Sequence, residues 1–481
     1  MSSTKKELLS GVFYTAIAKY SGIIVSLVVA GILARLIEPE EFGIVAIATV
    51  IISFFSIFSD LGIAPAIIQN KELSQKDLSN IFTFTIWLGI SISILFFLCS
   101  WPISHFYKNG TLLTICQLLS LNLFFASANI VPNALLFKEK EFKFIAYRSL
   151  TIQISGGVMA ITAAILGAGL YALIINPILS SILLFIISFR KKPQELAQTW
   201  GIQSMKKILS FSAYQFMFNV INYFSRNLDK LLIGKYMDMV ALGYYEKSYR
   251  LMMLPLQNIT HVISPVMHPI FSDFQNDLTK LSNSYNKVIR FLAFIGLPLS
   301  VLLWFCSKEI ILIIFGEQWM TSVPIFQILS ISVGIQIILS TSGSIFQAAN
   351  DTKSLFICGV FSTLLNVIGI LTGIFFFKTL EAVAWCICIT FTINFIQCYI
   401  WMYKITFKQS LWKFWKQFLS PILLTGILIV CLLPTYYLSD KSSIYATLLL
   451  KGGVFIIIYV AYVQIRGEYN IINFIKSKIK K

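Results

Sequence analysis

The chain has 481 residues, 57% of them hydrophobic and 12% charged, with a mean hydropathy of +0.79. A soluble domain carries roughly 25% charge, so that class is excluded. Apolar runs of about 20 residues recur without strand-like alternation, which excludes a β-barrel, and the formal net charge of +17 must be explained by where the charges sit.

The apolar runs predict an all-α polytopic membrane protein of about fourteen spans: 11–34, 42–68, 80–102, 112–136, 149–167, 169–189, 208–233, 240–268, 288–315, 323–349, 355–377, 381–403, 418–438 and 444–465. Lys5 and Lys6 precede the first span. That span is too long for the apolar core of a signal peptide and has no small-residue cleavage site after it, so no cleavable leader is expected. Lys19 lies within it, either snorkelling to the surface or facing a cavity. Near the end of the second span, Ser59-Asp60-Leu61-Gly62 reads as a local break capped by Asp60, or as a proton or cation site. Asn122, Asn129 and Asn133 form a narrow face on the fourth span. Amides there either bind sugar hydroxyls or join helices at about 0.6 kcal/mol each. Gly167-Ala168-Gly169 predicts a tight hairpin between spans five and six.

The seventh span carries the most informative pattern. Gln215, Asn219, Asn222, Arg226 and Asp229 recur at steps of four, three, four and three, with Lys230 beside them. At about 100° per residue they share one face. A charge at the bilayer centre costs on the order of 2.5–3.5 kcal/mol, so this face needs protein or water opposite it. The eighth span adds Glu246, Lys247 and Arg250, followed by Pro255, Pro265 and Pro269, which predict a bend, a hinge or a cavity wall. His261 and His268 read as interfacial structure, with proton coupling as the alternative. Trp412, Phe414 and Trp415 belong to an amphipathic segment expected at the membrane interface.

With the N-terminus inside, cytoplasmic segments hold 26 Lys and Arg residues and outer segments six. This bias supports cytoplasmic termini and explains the basic charge without nucleic acid. The basic loops are suited to anionic membrane lipids. Displacing the chain by 200 residues places Leu9 on Leu209, Tyr14 on Tyr214, Arg35 on Lys235 and Gly43 on Gly243. Thr15, Lys19, Gly22 and Ser26 fall on Gln215, Asn219, Asn222 and Arg226. Two hundred residues cover six spans, an even number, which predicts parallel repeats. The expected organisation is an N-terminal six-helix lobe (1–189), a cytoplasmic linker (190–207), a C-terminal six-helix lobe (208–403), an amphipathic linker (404–417) and a final helix pair with a basic tail (418–481). No loop is long enough for a soluble catalytic domain, and no phosphate-binding glycine loop occurs. The cysteines show no metal spacing and read as small apolar residues. Among embedded charges, Lys19, Arg226, Lys230, Lys247 and Arg250 outnumber Asp60, Asp229 and Glu246. Such an excess suits an anion, with Arg as a fork and Lys as a point charge for phosphate.

Three motifs carry a resemblance. Leu33-Ala34-Arg35-Leu36-Ile37-Glu38-Pro39-Glu40-Glu41-Phe42-Gly43 resembles the signature between the first two spans of Wzx-type polysaccharide flippases. Asp60-Leu61-Gly62 with Ala66-Ile67-Ile68-Gln69 looks like that family's end of span two. Tyr244-Tyr245-Glu246-Lys247-Ser248-Tyr249-Arg250-Leu251-Met252-Met253-Leu254-Pro255 is similar to its eighth-span motif. The resemblance is nearest the colanic-acid and teichuronic-acid export branch. It implies a MATE-like fold within the multidrug/oligosaccharidyl-lipid/polysaccharide exporter superfamily, with two six-helix lobes plus two helices. It also implies a bacterial inner-membrane location and an undecaprenyl-pyrophosphate-linked oligosaccharide as substrate. A coupling proton or sodium ion, and neighbouring polymerase and chain-length proteins, follow from it as well.

The expectation is therefore a non-enzymatic flippase without a cofactor. Lys19, Gln215, Asn219, Asn222, Arg226, Lys230, Lys247 and Arg250 are its candidate substrate contacts, and Asp60, Asp229 and Glu246 its candidate ion-coupling groups. A MATE-type small-solute or multidrug antiporter is the alternative, disfavoured because a cationic drug calls for an acidic cavity. A membrane glycosyltransferase or polymerase is a further one, disfavoured because Glu38, Glu40 and Glu41 read as a helix start rather than a catalytic pair.

Overall fold

The computed structural model describes residues 3–60, 62–70, 72–197, 213–275, 277–438 and 443–467. Among them the regular structure is helical, and eleven helices are long and apolar enough to cross a membrane, or twelve if one bent pair is a single span. The expected fourteen are not reached on composition. The two helices missing from that set, Ala213–Tyr236 and Met239–Ser272, are long enough at 1.5 Å per residue. They are the ones carrying the polar stripe and the charged eighth-span motif.

The chain divides into two compact units, 1–243 and 244–481. The first unit contains α1 (Ser3–Leu36), α2 (Pro39–Asp60), α3 (Ile63–Gln69), α4 (Gln75–Tyr107), α5 (Thr111–Ala128), α6 (Ile130–Lys138), α7 (Phe142–Ile165), α8 (Tyr171–Lys191) and α9 (Ala213–Tyr236). The expected second span is broken between α2 and α3, where Gly62 takes a φ of 73°. The break falls where Asp60-Leu61-Gly62 predicted it, although the Asp60 side chain and Leu61 lie outside the described residues. α7 and α8 are joined through Gly167 and Gly169, both at positive φ (86° and 52°), which is why the hairpin needs glycine at these two places. Glu41 fixes the other side of this turn. One of its oxygens accepts from the Leu170 amide at 2.9 Å and the other from the Glu38 amide at 3.3 Å, the latter closing the start of α2. The acidic cluster is thus a helix start, as its spacing predicted.

A reciprocal contact supports the 200-residue repeat. A Cβ on Gly43 would lie 1.8 Å from the Met239 carbonyl oxygen, and a Cβ on Gly243 would lie 2.1 Å from that of Pro39. Position 239 corresponds to 39 and 243 to 43, so each glycine lies against the counterpart of the residue its own counterpart touches. A mutual contact of this form is what two equivalent segments make around a local two-fold relation. No other side chain fits, because backbone meets backbone.

α10 (Met239–Ser272) crosses the division between the units and continues unbroken past Pro255, Pro265 and Pro269. The predicted bend is therefore not a break. The His261 and His268 side chains lie outside the described residues. The second unit continues with α11 (Leu278–Phe305), α12 (Ser307–Ile314), α13 (Ser322–Ser330), α14 (Val333–Leu339), α15 (Ser342–Ala348), α16 (Thr352–Leu371) and α17 (Leu380–Trp401). It closes with α18 (Trp412–Trp415), α19 (Leu419–Leu438) and α20 (Ile444–Arg466). The expected tenth span is bent by 45° after α13. Hydroxyls at the bend compete with the helical ladder: Ser330 donates to the carbonyl four residues back and Ser332 to the one three back.

A hydroxylated aromatic core holds α11, α14 and α17 together. The Tyr285 and Tyr399 hydroxyls lie 2.8 Å apart, Tyr285 also meets Thr341 at 2.9 Å, and Tyr399 donates to the Ile338 carbonyl at 3.0 Å. Phe414 stacks on Tyr399 at 4.4 Å and is fully buried, whereas Trp412 and Trp415 are exposed. The interfacial expectation is left to the two exposed tryptophans, because the Phe414 ring completes this core.

The final helix is fastened by a buried ion pair. Lys451 of α20 donates to Glu309 of α12 at 2.5 Å and to the Phe305 carbonyl at 2.8 Å, and both side chains are 3% exposed. Removing one partner leaves a buried charge and costs about 3–5 kcal/mol, whereas replacing both is tolerated. Lys451→Met is expected to lower the detergent melting temperature sharply, and adding Glu309→Leu to restore most of it, as read by thermal unfolding. Gly43→Val and Gly243→Val are each expected to cost about 1–3 kcal/mol or more by overpacking. Gly359→Ala, which meets open space, leaves the melting temperature unchanged or raises it.

Candidate functional site

α9 contributes Arg226, Asp229 and Lys230. One of its faces is committed within the first unit. The Tyr223 hydroxyl donates to the Val50 carbonyl, and Phe224 lies 4.9 Å from Phe54. Tyr107 donates to the Leu231 carbonyl at 3.2 Å. Lys235 donates to the Phe106 carbonyl and sits 4.1 Å over that ring. Arg226 is roughly 150° round the helix from Phe224 and Leu231, and it is exposed. One turn on, Asp229 is buried and Lys230 half-buried. Gln215, Asn219 and Asn222 lie on the same helix, but their side chains fall outside the described residues.

On α1, Lys19 is exposed. The weaker polar face of this helix has a local cause. Gln153 of α7 donates to the Gly22 carbonyl at 2.7 Å, and its Oε1 lies 2.7 Å from where a Gly22 Cβ would be, so a side chain at this position would have to displace it. In the second unit, α10 presents two faces. Ser248 donates to the Ser322 carbonyl at 2.9 Å, and Ser322 to the Tyr244 carbonyl at 3.0 Å. Lys247 shares that side, 3% exposed, with its ammonium 4.9 Å from the Phe315 ring and 5.3 Å from Trp319. The rings offer it cation–π attraction in a dry setting. In this conformation its ammonium faces rings and not an open surface, unlike Arg250. Glu246 and Arg250, four residues apart, share the other side, where Glu246 is half-buried and Arg250 exposed.

The fourth-span asparagines act as joints. Asn122 donates to the Pro177 carbonyl at 3.0 Å, and Asn133 accepts from Arg148 at 2.9 Å. Each of these two amides commits one atom to a neighbouring helix, as the helix-joining reading expects. Arg148 itself escaped the sequence reading, which placed it in a cytoplasmic loop. α7 begins at Phe142, so Arg148 lies inside it, 7% exposed, and also bonds the Ser188 hydroxyl at 2.5 Å. The apolar run Phe142–Tyr147, interrupted only by Lys143, was the available signal.

Comparisons with known proteins place the chain in a family and a fold. The chain is 27% identical over 377 residues to the lipopolysaccharide biosynthesis protein WzxC of Escherichia coli (strain K12), covering 77% of this chain and 76% of that protein. It is 24% identical over 429 residues to the teichuronic acid biosynthesis protein TuaB of Bacillus subtilis (strain 168), covering 89% and 88%. Among solved structures, the inward closed conformation of the lipid II flippase MurJ superposes with a TM-score of 0.72 at 18% identity, over 94% of this chain and 98% of that one. An inward-facing multidrug resistance MATE family transporter of the MOP superfamily gives 0.63 at 14% identity, over 81% and 97%. The fold is therefore the one MurJ and the MATE transporters share. The profile of the family described as polysaccharide biosynthesis protein matches residues 32–324, more than half of the sequence, and this chain belongs to that family.

Proposed function

We propose that this protein moves the head group of a lipid-linked oligosaccharide, an undecaprenyl-pyrophosphate repeat unit, from the inner to the outer leaflet of the bacterial inner membrane by alternating access. It acts as a transporter in surface polysaccharide assembly and not as an enzyme. The observation that carries this reading is which embedded cations stay exposed. Lys247 and Lys451 are buried against rings or a carboxylate, while Lys19, Arg226 and Arg250 remain exposed. Those three are assigned the pyrophosphate, with Lys230 at its edge, and Gln215, Asn219 and Asn222 the sugar. Asp60, Asp229 and Glu246 are the groups suited to a coupling proton or sodium ion.

The arrangement assigned to this cycle is a lobe of residues 1–189 and a lobe of residues 208–403, joined by 190–207, with both termini cytoplasmic. Residues 198–207 of that linker lie outside the described residues. The repeat and the reciprocal glycine contact support it. The relatives' names support the substrate class, and polymerase and chain-length proteins are the partners such a substrate implies. A cationic-drug antiporter on the same fold is disfavoured by the basic sign of the exposed charges.

Each arginine makes a charge-assisted contact of about 1.5–3 kcal/mol, or roughly ten- to a hundredfold in affinity. In a host lacking its own flippase, Arg226→Ala and Arg250→Ala are each expected to cut surface polysaccharide at least tenfold. Lipid-linked repeat units would build up on the inner leaflet, as scored by leaflet-specific lectin binding. Normal polysaccharide in both variants, at normal protein levels, would remove the site.

A further inference from the structure

The polar face of α9 is one half of what this helix offers. Its other face, with α2 and α4, borders an apolar groove of about 380 Å³, within the range of roughly 300–1,000 Å³ usual for ligand sites. Phe54, Phe55, Phe106, Tyr107, Tyr223 and Phe224 supply the rings that line it. The two tyrosines add no polarity, because both hydroxyls are spent on backbone carbonyls, Tyr223 on Val50 and Tyr107 on Leu231. The groove therefore shows ring faces and aliphatic carbon to its occupant. One end is different in charge. Lys235 sits over Phe106, and Lys108, exposed, ends α4 directly after the groove residue Tyr107. Among the described side chains of α9 the acidic one is Asp229, which is buried, and the groove's stretches of α2 and α4 carry no carboxylate.

We propose that this groove seats the polyisoprenyl chain of the lipid-linked substrate at the outer-leaflet stage of the cycle, when the pyrophosphate has passed from Arg226 to Lys108 and Lys235. The assignment rests on the transport reading above and names the part of the substrate that reading leaves in the bilayer. An apolar, ring-lined channel with cations at one mouth matches an apolar chain ending in phosphate. Methyl branches along an isoprenoid give ring faces more contact than a straight acyl chain does. On α9 the groove residues Phe224 and Leu231 lie roughly 150° from Arg226, and Tyr223 about 60°, so one helix can present the chain's groove and the head group's cation on different faces.

The test uses the full-length protein in phosphatidylcholine nanodiscs with a short polyprenyl phosphate carrying a diazirine on its terminal isoprene. After irradiation, adducts are mapped by mass spectrometry. Adducts are expected within residues 50–55, 99–107 and 223–231, displaced at least tenfold better by unlabelled polyprenyl phosphate than by phosphatidylglycerol. The preference for polyprenyl phosphate over uncharged polyprenol should fall at least fivefold in Lys108→Ala/Lys235→Ala. Adducts confined to other segments, or equal displacement by phosphatidylglycerol, would overturn the proposal. Normal export by the Arg226 and Arg250 variants with groove adducts intact would sink the transport reading instead. Export lost in those variants without groove adducts would sink the groove alone.

Discussion

A polar side chain at bilayer depth must meet something other than lipid, and this requirement orders the whole molecule. Each embedded charge meets it in one of a few ways. Lys451 and Glu309 neutralise each other in a dry contact. Lys247 rests on aromatic rings. Arg148 is bound by an amide and a hydroxyl. Lys19, Arg226 and Arg250 stay exposed; at the bilayer depth proposed for them, exposure is tolerable only beside water or a polar ligand. The first three arrangements build the fold; the last is the one to which the proposed function assigns the substrate.

The same requirement explains why α9 and α10 stand apart from the other long helices. They are too polar to qualify as spans by hydropathy, yet their apolar faces are tied into the units by rings and backbone-directed hydroxyls. α9 gives Tyr223 and Phe224 to α2, and α10 gives Tyr244 and Ser248 to α13 and the turn before it. Stability and function are separated by face on the same helix. That division lets a span keep a charged side without being lost to the aqueous phase.

Much of this was legible in the chain itself. The Gly167–Gly169 hairpin follows from local conformation, and Glu41 announces the start of α2 by its place three residues after Glu38. The 200-residue offset singled out Gly43 and Gly243 before their mutual contact was known. What escaped depended on neighbours remote in sequence. Arg148 reads as a loop charge until α6 and α8 surround it, and Lys247 reads as a cavity cation until Phe315 and Trp319 cover it. The bend of the tenth span has hydroxyls that reach back along their own helix, and a serine-rich apolar run does not say which way they will turn. The three prolines of α10 do not interrupt the helix, because surrounding structure can carry it past them.

The central claim is that Arg226 and Arg250 adjoin water at membrane depth. Replacing each in turn by cysteine, on a background where the exposed Cys431 is serine, allows a charged methanethiosulfonate reagent to report on that directly. Rapid modification of both positions, slowed when a polyprenyl pyrophosphate is added, is the predicted result. Thiols that react only with a lipid-soluble maleimide and ignore the charged reagent would contradict it, since those side chains would then face acyl chains.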